Sequence, residues 1–309
     1  MSRRQLFPVL IAALMLLCFQ EAASHAQSKS PLSSGSARNL IRRMADIELP
    51  SGAVRVKSLS SPDRTTVDVV AQIETAFRFV KEREGWRVAE VRTGDNRWEE
   101  TELILRALNV EETKGVCVEV NSLTAAREDV DPSVRQARCL IAELIGIGLP
   151  SDAVRVRSVA PLALGNAPSA VVEARVEVEF RLVKGTDGKW RVSQMRTGGN
   201  RRIDVEPLEN ALNAEKRARA LEEIETLATA LEAFRRERGF YIEAKTESAL
   251  VDSLNPRYLR RVIRIDPWRK PYHYEGTRHS YTLRSDGADG KRDTSDDIVK
   301  RNDERVTTN

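Results

Sequence analysis

"LPSGAVRVKSLS" at Leu49 returns as "LPSDAVRVRSVA" at Leu149. "FRFVKEREGWRVAEVRTGDNR" at Phe77 returns as "FRLVKGTDGKWRVSQMRTGGNR" at Phe180, and "RALN" ending at Asn109 has a counterpart in "NALN" ending at Asn213. The offset grows from 100 to 103 to 104 residues, so the length differences fall in two places, both turns, where insertions are tolerated. A period this long exceeds that of a solenoid repeat and reads as a duplicated small domain. A fold for this chain must therefore use one architecture twice.

Each copy carries the same periodicity. Val67, Val69, Ala71, Ile73, Phe77 and Phe79 share one face at period two, against Asp68, Gln72, Glu74 and Arg78 on the other. In the second copy the apolar face is Ala170, Val172, Ala174, Val176, Val178, Phe180 and Leu182. Alternation of this length predicts a half-buried antiparallel strand. Glu84-Gly85 and Asp187-Gly188 then turn the chain into a hairpin, with Trp86 and Trp190 as core anchors. A helix precedes each unit, with Leu40, Ile41, Met44 and Ile47 in one copy and Leu140, Leu144 and Ile147 in the other. A short helix closes each near the "ALN" tripeptides. The expected unit is a helix on a curved antiparallel sheet of three or four strands, similar to cystatin-like or NTF2-like modules. The shared "RTGxNR" reads as a turn in which Gly and Asn supply positive φ.

From Glu215 the period changes to that of a helix: Leu221, Ile224, Leu227, Ala228, Leu231 and Phe234 form a stripe, and Gly239 ends it. Pro267 and Pro271 bracket Trp268 in a rigid turn. Tyr272, Tyr274, Tyr281 and Leu283 alternate as two short strands around "EGTRH", and Phe234 and Trp268 are expected in the core. "SDGADGKRDTSDDI", Ser285 to Ile298, then places five aspartates in fourteen residues. Such a stretch is either a solvated acidic turn or a cation site. It is not an EF-hand, because no glutamate closes it at the twelfth position.

The helix, "RGFY", "YLRRV", "DPWRKPYHY", "YTLRSDGADG" and "DDI" resemble, in this order, the C-terminal domain of the major pseudopilin of type II secretion, over Ala220 to Val299. The resemblance implies a head of one long helix and a small antiparallel sheet, with Ca²⁺ held by Asp289, Asp296 and Asp297. Main-chain carbonyls around Asp286 complete the shell, and Asp286 and Asp293 contribute by charge or not at all. Arg292-Asp293 stand where that family commonly has glycine. The chain also lacks, at its start, the short basic leader ending in Gly and the long apolar stem that build a pilin filament. The expected fold class is α+β: residues 1–26 a signal peptide, 37–110 and 131–213 the duplicated modules, 214–300 the pseudopilin-like domain, and 301–309 a tail.

The leader reading rests on Arg3 and Arg4, an apolar run from Leu6 to Phe19, and Ser24 and Ala26 before a cleavage point. The run is short of the roughly 20 residues that span a bilayer, and no later segment could cross one. Cys18 raises a lipid-anchor reading, but Leu17 stands where a lipobox has Gly or Ala. Removing the leader takes away two arginines and one glutamate and leaves a net charge of +3, too balanced for a nucleic-acid partner. The basic stretch Arg257, Arg260, Arg261, Arg264 reads as a solvated helix face. Cys117 and Cys139 remain, either as one disulfide or as two buried thiols. His273 and His279 lack a third nitrogen or thiol ligand and read as exposed strand and turn residues.

No catalytic motif is present: no G-x-S-x-G, H-E-x-x-H or P-loop. The expectation is an exported, non-catalytic cell-envelope protein, periplasmic or extracellular, that works through protein contacts around a secretion or pilus-like system. The alternative is a periplasmic binding module that holds a small apolar ligand in a sheet cavity.

Overall fold

The computed structural model describes residues 30–44, 47–83, 85–109, 132–145, 153–162, 167–196, 202–244, 247–302 and 307–308. The leader with Cys18, and Cys117, Ile147 and the second "TGGNR", lie outside the described residues.

The first copy runs α1 (Ser34–Arg42), β1 (Val54–Ser60), β2 (Thr66–Glu82), β3 (Gly85–Arg92), β4 (Trp98–Glu100) and α2 (Thr101–Ala107). The second runs α3 (Val134–Ile145), β5 (Val154–Leu162), β6 (Ser169–Lys184), β7 (Trp190–Arg196) and β8 (Ile203–Asp204). Both predicted faces are buried, from Val67 to Phe79 and from Ala170 to Leu182, with Ile73 half-buried on the same core. Gly85 and Gly188 take positive φ in the hairpin turns, as an L side chain there would resist. Trp86 is buried, whereas Trp190 is half-buried against the same core.

The two copies do not stand apart. β2 and β6 pair antiparallel from Thr66↔Val183 to Val80↔Ser169, and this seam joins both copies in one eight-stranded sheet. The path is β4-β3-β2-β6-β7-β8, with β1 sharing the outer edge of β2 and β5 that of β6. The irregularities match as well. The ladder slips between Val56 and Ser58 and between Val156 and Ser158, and again at Arg78/Phe79 and Arg181/Leu182. Each helix crosses the seam: α1 packs on β1 and reaches β7, while α3 packs on β5 and reaches β3. Ile41 and Ile141, both fully buried, fill the inner face, so one core serves both copies.

The closing helix of the second copy and the helix of the C-terminal domain are one element, α4 (Val205–Arg238), 34 residues long. Pro207 sits in its first turn, where no N–H is missed. No breaker follows until Gly239, which caps it at φ 81°. The expected boundary between 213 and 214 falls inside this helix. Beyond it lie α5 (Glu247–Leu254), β9 (His273–Gly276), β10 (Tyr281–Ser285), β11 (Ile298–Arg301) and β12 (Thr307–Thr308), the strands ordered β12-β11-β10-β9. Ile224, Leu227 and Leu231 bury one stripe of α4 against Tyr241, Tyr272, Tyr274, Tyr281 and Leu283. Phe234, expected in this core, is half-buried: it meets Phe240 and Tyr258 edge-on at the margin, with centroids 6.0 and 5.5 Å away.

The first turns of α4 dock on the first copy. Lys216 and Glu99 form a buried ion pair at 2.7 Å. Arg269 donates to the Trp98 carbonyl at 2.8 Å and to Glu90 at 2.7 Å. Among the described residues, no helix is long and apolar enough to cross a membrane.

Candidate functional site

The acidic loop joins β10 to β11, so strand pairing from Thr282↔Arg301 to Ser285↔Ile298 brings its two ends together. Three of its carboxylates converge on one hydroxyl. Thr294 Oγ1 lies 2.7 Å from Asp296 Oδ1, 3.3 Å from Asp289 Oδ1 and 3.3 Å from Asp297 Oδ1, with the Lys291 carbonyl at 3.0 Å. One hydroxyl carries one proton and can satisfy one of these acceptors at a time. Loop N–H groups take other lone pairs: Asp289 N–H donates to Asp296 Oδ2, Lys291 N–H to Asp289 Oδ1, and Asp293 N–H to Asp297 Oδ2. Burial raises the Asp296 pKa, but the hydrogen bonds from Asp289 N–H and Thr294 outweigh it and hold the carboxyl below its ordinary value.

Asp286 stands apart from this group. Its Oδ2 lies 2.9 Å from His273 Nε2, and its Oδ1 is buried without a hydrogen-bond partner. The loop's tight geometry rests on Gly287, at φ 62°, where a Cβ would come 2.5 Å from both Asp296 O and Asp296 Oδ2. Asp293, in the stretch where the resembling family commonly has glycine, itself takes φ 66°. Aspartate tolerates that region better than most residues, and Arg284 holds its carboxylate at 2.9 Å.

Two features behind the loop are not legible in the sequence. Asp266 is buried, and its Oδ1 accepts from the N–H groups of Trp268 and Lys270 while Ser285 Oγ donates to Oδ2 at 2.6 Å. Desolvation raises its pKa. The Asp-Pro-Trp turn is thus tied to the first residue of the loop. Arg217, on α4, donates to the Asp296 carbonyl at 3.0 Å. In sequence, an aspartate before proline announces a turn, and an arginine on a helix announces only charge.

Chemically, the loop offers hard oxygen donors, the kind of ligand that Ca²⁺ takes. As placed, no group of three or more His, Cys, Asp or Glu side chains among the described residues surrounds one point closely enough to hold a metal ion. The carboxylates share a hydroxyl instead.

The other residues singled out by sequence are also placed. In the first "RTGxNR", the N–H groups of Thr93 and Gly94 donate to the Arg97 carbonyl, which makes the expected turn. Positive φ is not used there. Gly94 is needed for close approach, since a Cβ would sit 3.2 Å from Arg97 Cβ and 3.4 Å from the Glu48 carbonyl. His279 is exposed. Cys139 is disulfide-bonded, and its expected partner Cys117 lies outside the described residues.

The long helix, the four-stranded antiparallel sheet and the aspartate loop between its strands are the arrangement that the resemblance to a pseudopilin head implies. Residues 208–301 match the family described as type II secretion system (T2SS), protein G. The match covers nearly all of α4, the turn at Trp268 and the acidic loop, so the resemblance of the C-terminal domain to a pseudopilin head extends over this whole region. Comparison with curated proteins and with solved structures gave no match.

Proposed function

We propose that this chain is an exported, non-catalytic cell-envelope protein that presents a calcium-binding pseudopilin-like head. It would act in the periplasm or outside the cell through protein contacts linked to type II secretion or a pilus-like system. The observation that carries this reading is the convergence of Asp289, Asp296 and Asp297 on Thr294 inside a domain that matches the secretion family. Asp289, Asp296 and Asp297 would hold the cation, with nearby carbonyls. Ca²⁺ would supply the positive charge that one hydroxyl proton cannot, and would join the two ends of the loop. The inner sheet face leaves the apolar-ligand reading little support, since Ile41 and Ile141 fill it.

The first turns of α4 are occupied by the docked first copy, through Lys216 and Glu99. The head would therefore be presented by a helix docked on the first copy rather than by a free stem. The test is thermal melting of the leader-free chain in EGTA and in millimolar calcium. A cation that binds the folded state alone raises the midpoint by mass action. The expected result is a higher midpoint in calcium that disappears in Asp289→Ala and Asp296→Ala. Identical midpoints for the parent in both buffers would remove calcium from the reading.

A further inference from the structure

The basic stretch read from sequence as a solvated helix face is not helical, because α5 ends at Leu254. From Leu259 to Asp266 the chain has neither helix nor strand, apart from a single bridge between Ile265 and Pro271. Its side chains are sorted. Leu259 and Ile263 are buried and anchor the segment, while Val262 and Ile265 are 49% and 47% exposed. These are two of the three large apolar side chains so exposed among the described residues. Arg257 and Arg261 are engaged by Glu237 and Glu223, but the exposed Arg260 and Arg264 have no acidic partner among the described residues. The backbone N–H groups from Arg260 to Ile265 likewise make no hydrogen bond there. A cavity of about 120 Å³ opens alongside, between Val262, Arg264 and Ile265 on one side and Glu100 and Arg219 on the other.

We propose that residues 260–265 form a docking edge for an extended, acidic and apolar peptide segment of another protein. Free N–H groups on an exposed segment are what an added strand pairs with, and alternate side chains of that strand supply specificity. Arg260 and Arg264 select carboxylates and steer them in. Val262 and Ile265 require apolar residues between those carboxylates, since otherwise their exposed surface stays in water. This last requirement separates a peptide from a phosphate polymer or an anionic lipid surface, which would use the arginines and leave both apolar side chains wet. The edge does not involve the acidic loop, so it stands whether or not the loop binds calcium.

The test is fluorescence anisotropy of the leader-free chain, in EGTA, with a labelled peptide that alternates glutamate and valine. Saturable binding in the micromolar range is expected, weaker at high salt. Arg260→Glu/Arg264→Glu and Val262→Asp/Ile265→Asp should each weaken it by about tenfold or more, a loss on the order of 1.4 kcal/mol. Because these side chains are exposed, each variant should melt close to the parent. The milder Val262→Ala/Ile265→Ala pair replaces any that does not. No saturation below about 1 mM, or binding indifferent to both charge and apolar variants, would overturn the proposal. So would inorganic polyphosphate or anionic vesicles that displace the peptide while ignoring the apolar variants, because the edge would then be a polyanion site.

Discussion

Ile73 on β2 pairs across the seam with Val176 on β6, the residue that holds the same position in the second sequence copy. The two copies are thus related by an approximate twofold axis through this pair. The ion pairs obey it: Lys57 reaches Glu177 at 2.6 Å, and Arg157 reaches Glu74 at 2.6 Å. Lys57 and Arg157 are the residues left out of register by the matching ladder slips, and each slip turns its cation across the seam.

One copy alone would expose the whole β6-facing edge of β2 and lose the α3 side of its core. The fragment 30–109 is therefore expected to be unfolded, or to dimerise by pairing β2 with a second β2. Light scattering with circular dichroism distinguishes these. A folded monomer would show that the shared core is not required.

The ion pair between Lys216 and Glu99 supports a different expectation. Both side chains are almost fully buried, and desolvation lowers the Lys216 pKa even though Glu99 opposes it. Removing one partner strands a buried charge, so Glu99→Gln should cost about 3–5 kcal/mol. Replacing both, as Lys216→Met with Glu99→Leu, should return most of that loss, because the desolvation cost disappears with the charges. Denaturant melts of the three proteins check this. A double variant as unstable as Glu99→Gln would mean that the pair contributes more than it costs to bury.

Phe234 and Trp268 should part company. Trp268 is buried and donates from Nε1 to Asn213 at 3.0 Å, so Trp268→Ala should cost about 3–5 kcal/mol. Phe234 keeps two edge-on ring contacts at the margin of the core, each worth roughly 0.5–1.5 kcal/mol. Phe234→Ala should therefore cost about 1–3 kcal/mol, less than Trp268→Ala, and chemical denaturation of both variants gives the order. Equal losses would place Phe234 deeper than its half-burial indicates.

These cases show where sequence was legible. Alternation identified the buried face of each long strand, because period two follows from the pleat. It could not identify the partner along the edge, since β2 would alternate in the same way whether β6 or solvent lay beside it. The helix stripe of Ile224, Leu227 and Leu231 was readable for the same reason, and Gly239 marked its end. Its start is not legible, because the sequence pattern changes near Asn213 while the helix runs on, with no glycine or proline between Pro207 and Gly239 to break it. Lys216 was invisible: a lysine among helix charges reads as solvated until Glu99 is brought to it from another copy. In the loop, the aspartates were readable by type and spacing, whereas Asp286 turning to His273 depends on β9 lying beside β10.

The loop's two central glycines are predicted to behave differently. Gly287 and Gly290 both sit at φ 62°, a conformation that costs an L residue roughly 1–2 kcal/mol. Around Gly290, an added Cβ meets only the flexible end of Lys270, with its Cε at 3.1 Å, so Gly290→Ala should lose little beyond the backbone term. Around Gly287, the same Cβ would overlap the carbonyl and a carboxylate oxygen of Asp296 at 2.5 Å each. Asp296 cannot withdraw freely, because Arg217 holds its carbonyl and Asp289 N–H holds its Oδ2. Gly287→Ala should therefore displace Asp296 from the group around Thr294, and any stabilisation by millimolar calcium should vanish while Gly290→Ala retains it. Paired melts of parent and both variants, with and without EGTA, measure the difference. If Gly287→Ala kept the parent's full calcium response, the Asp296 carboxylate would have no part in the proposed calcium binding.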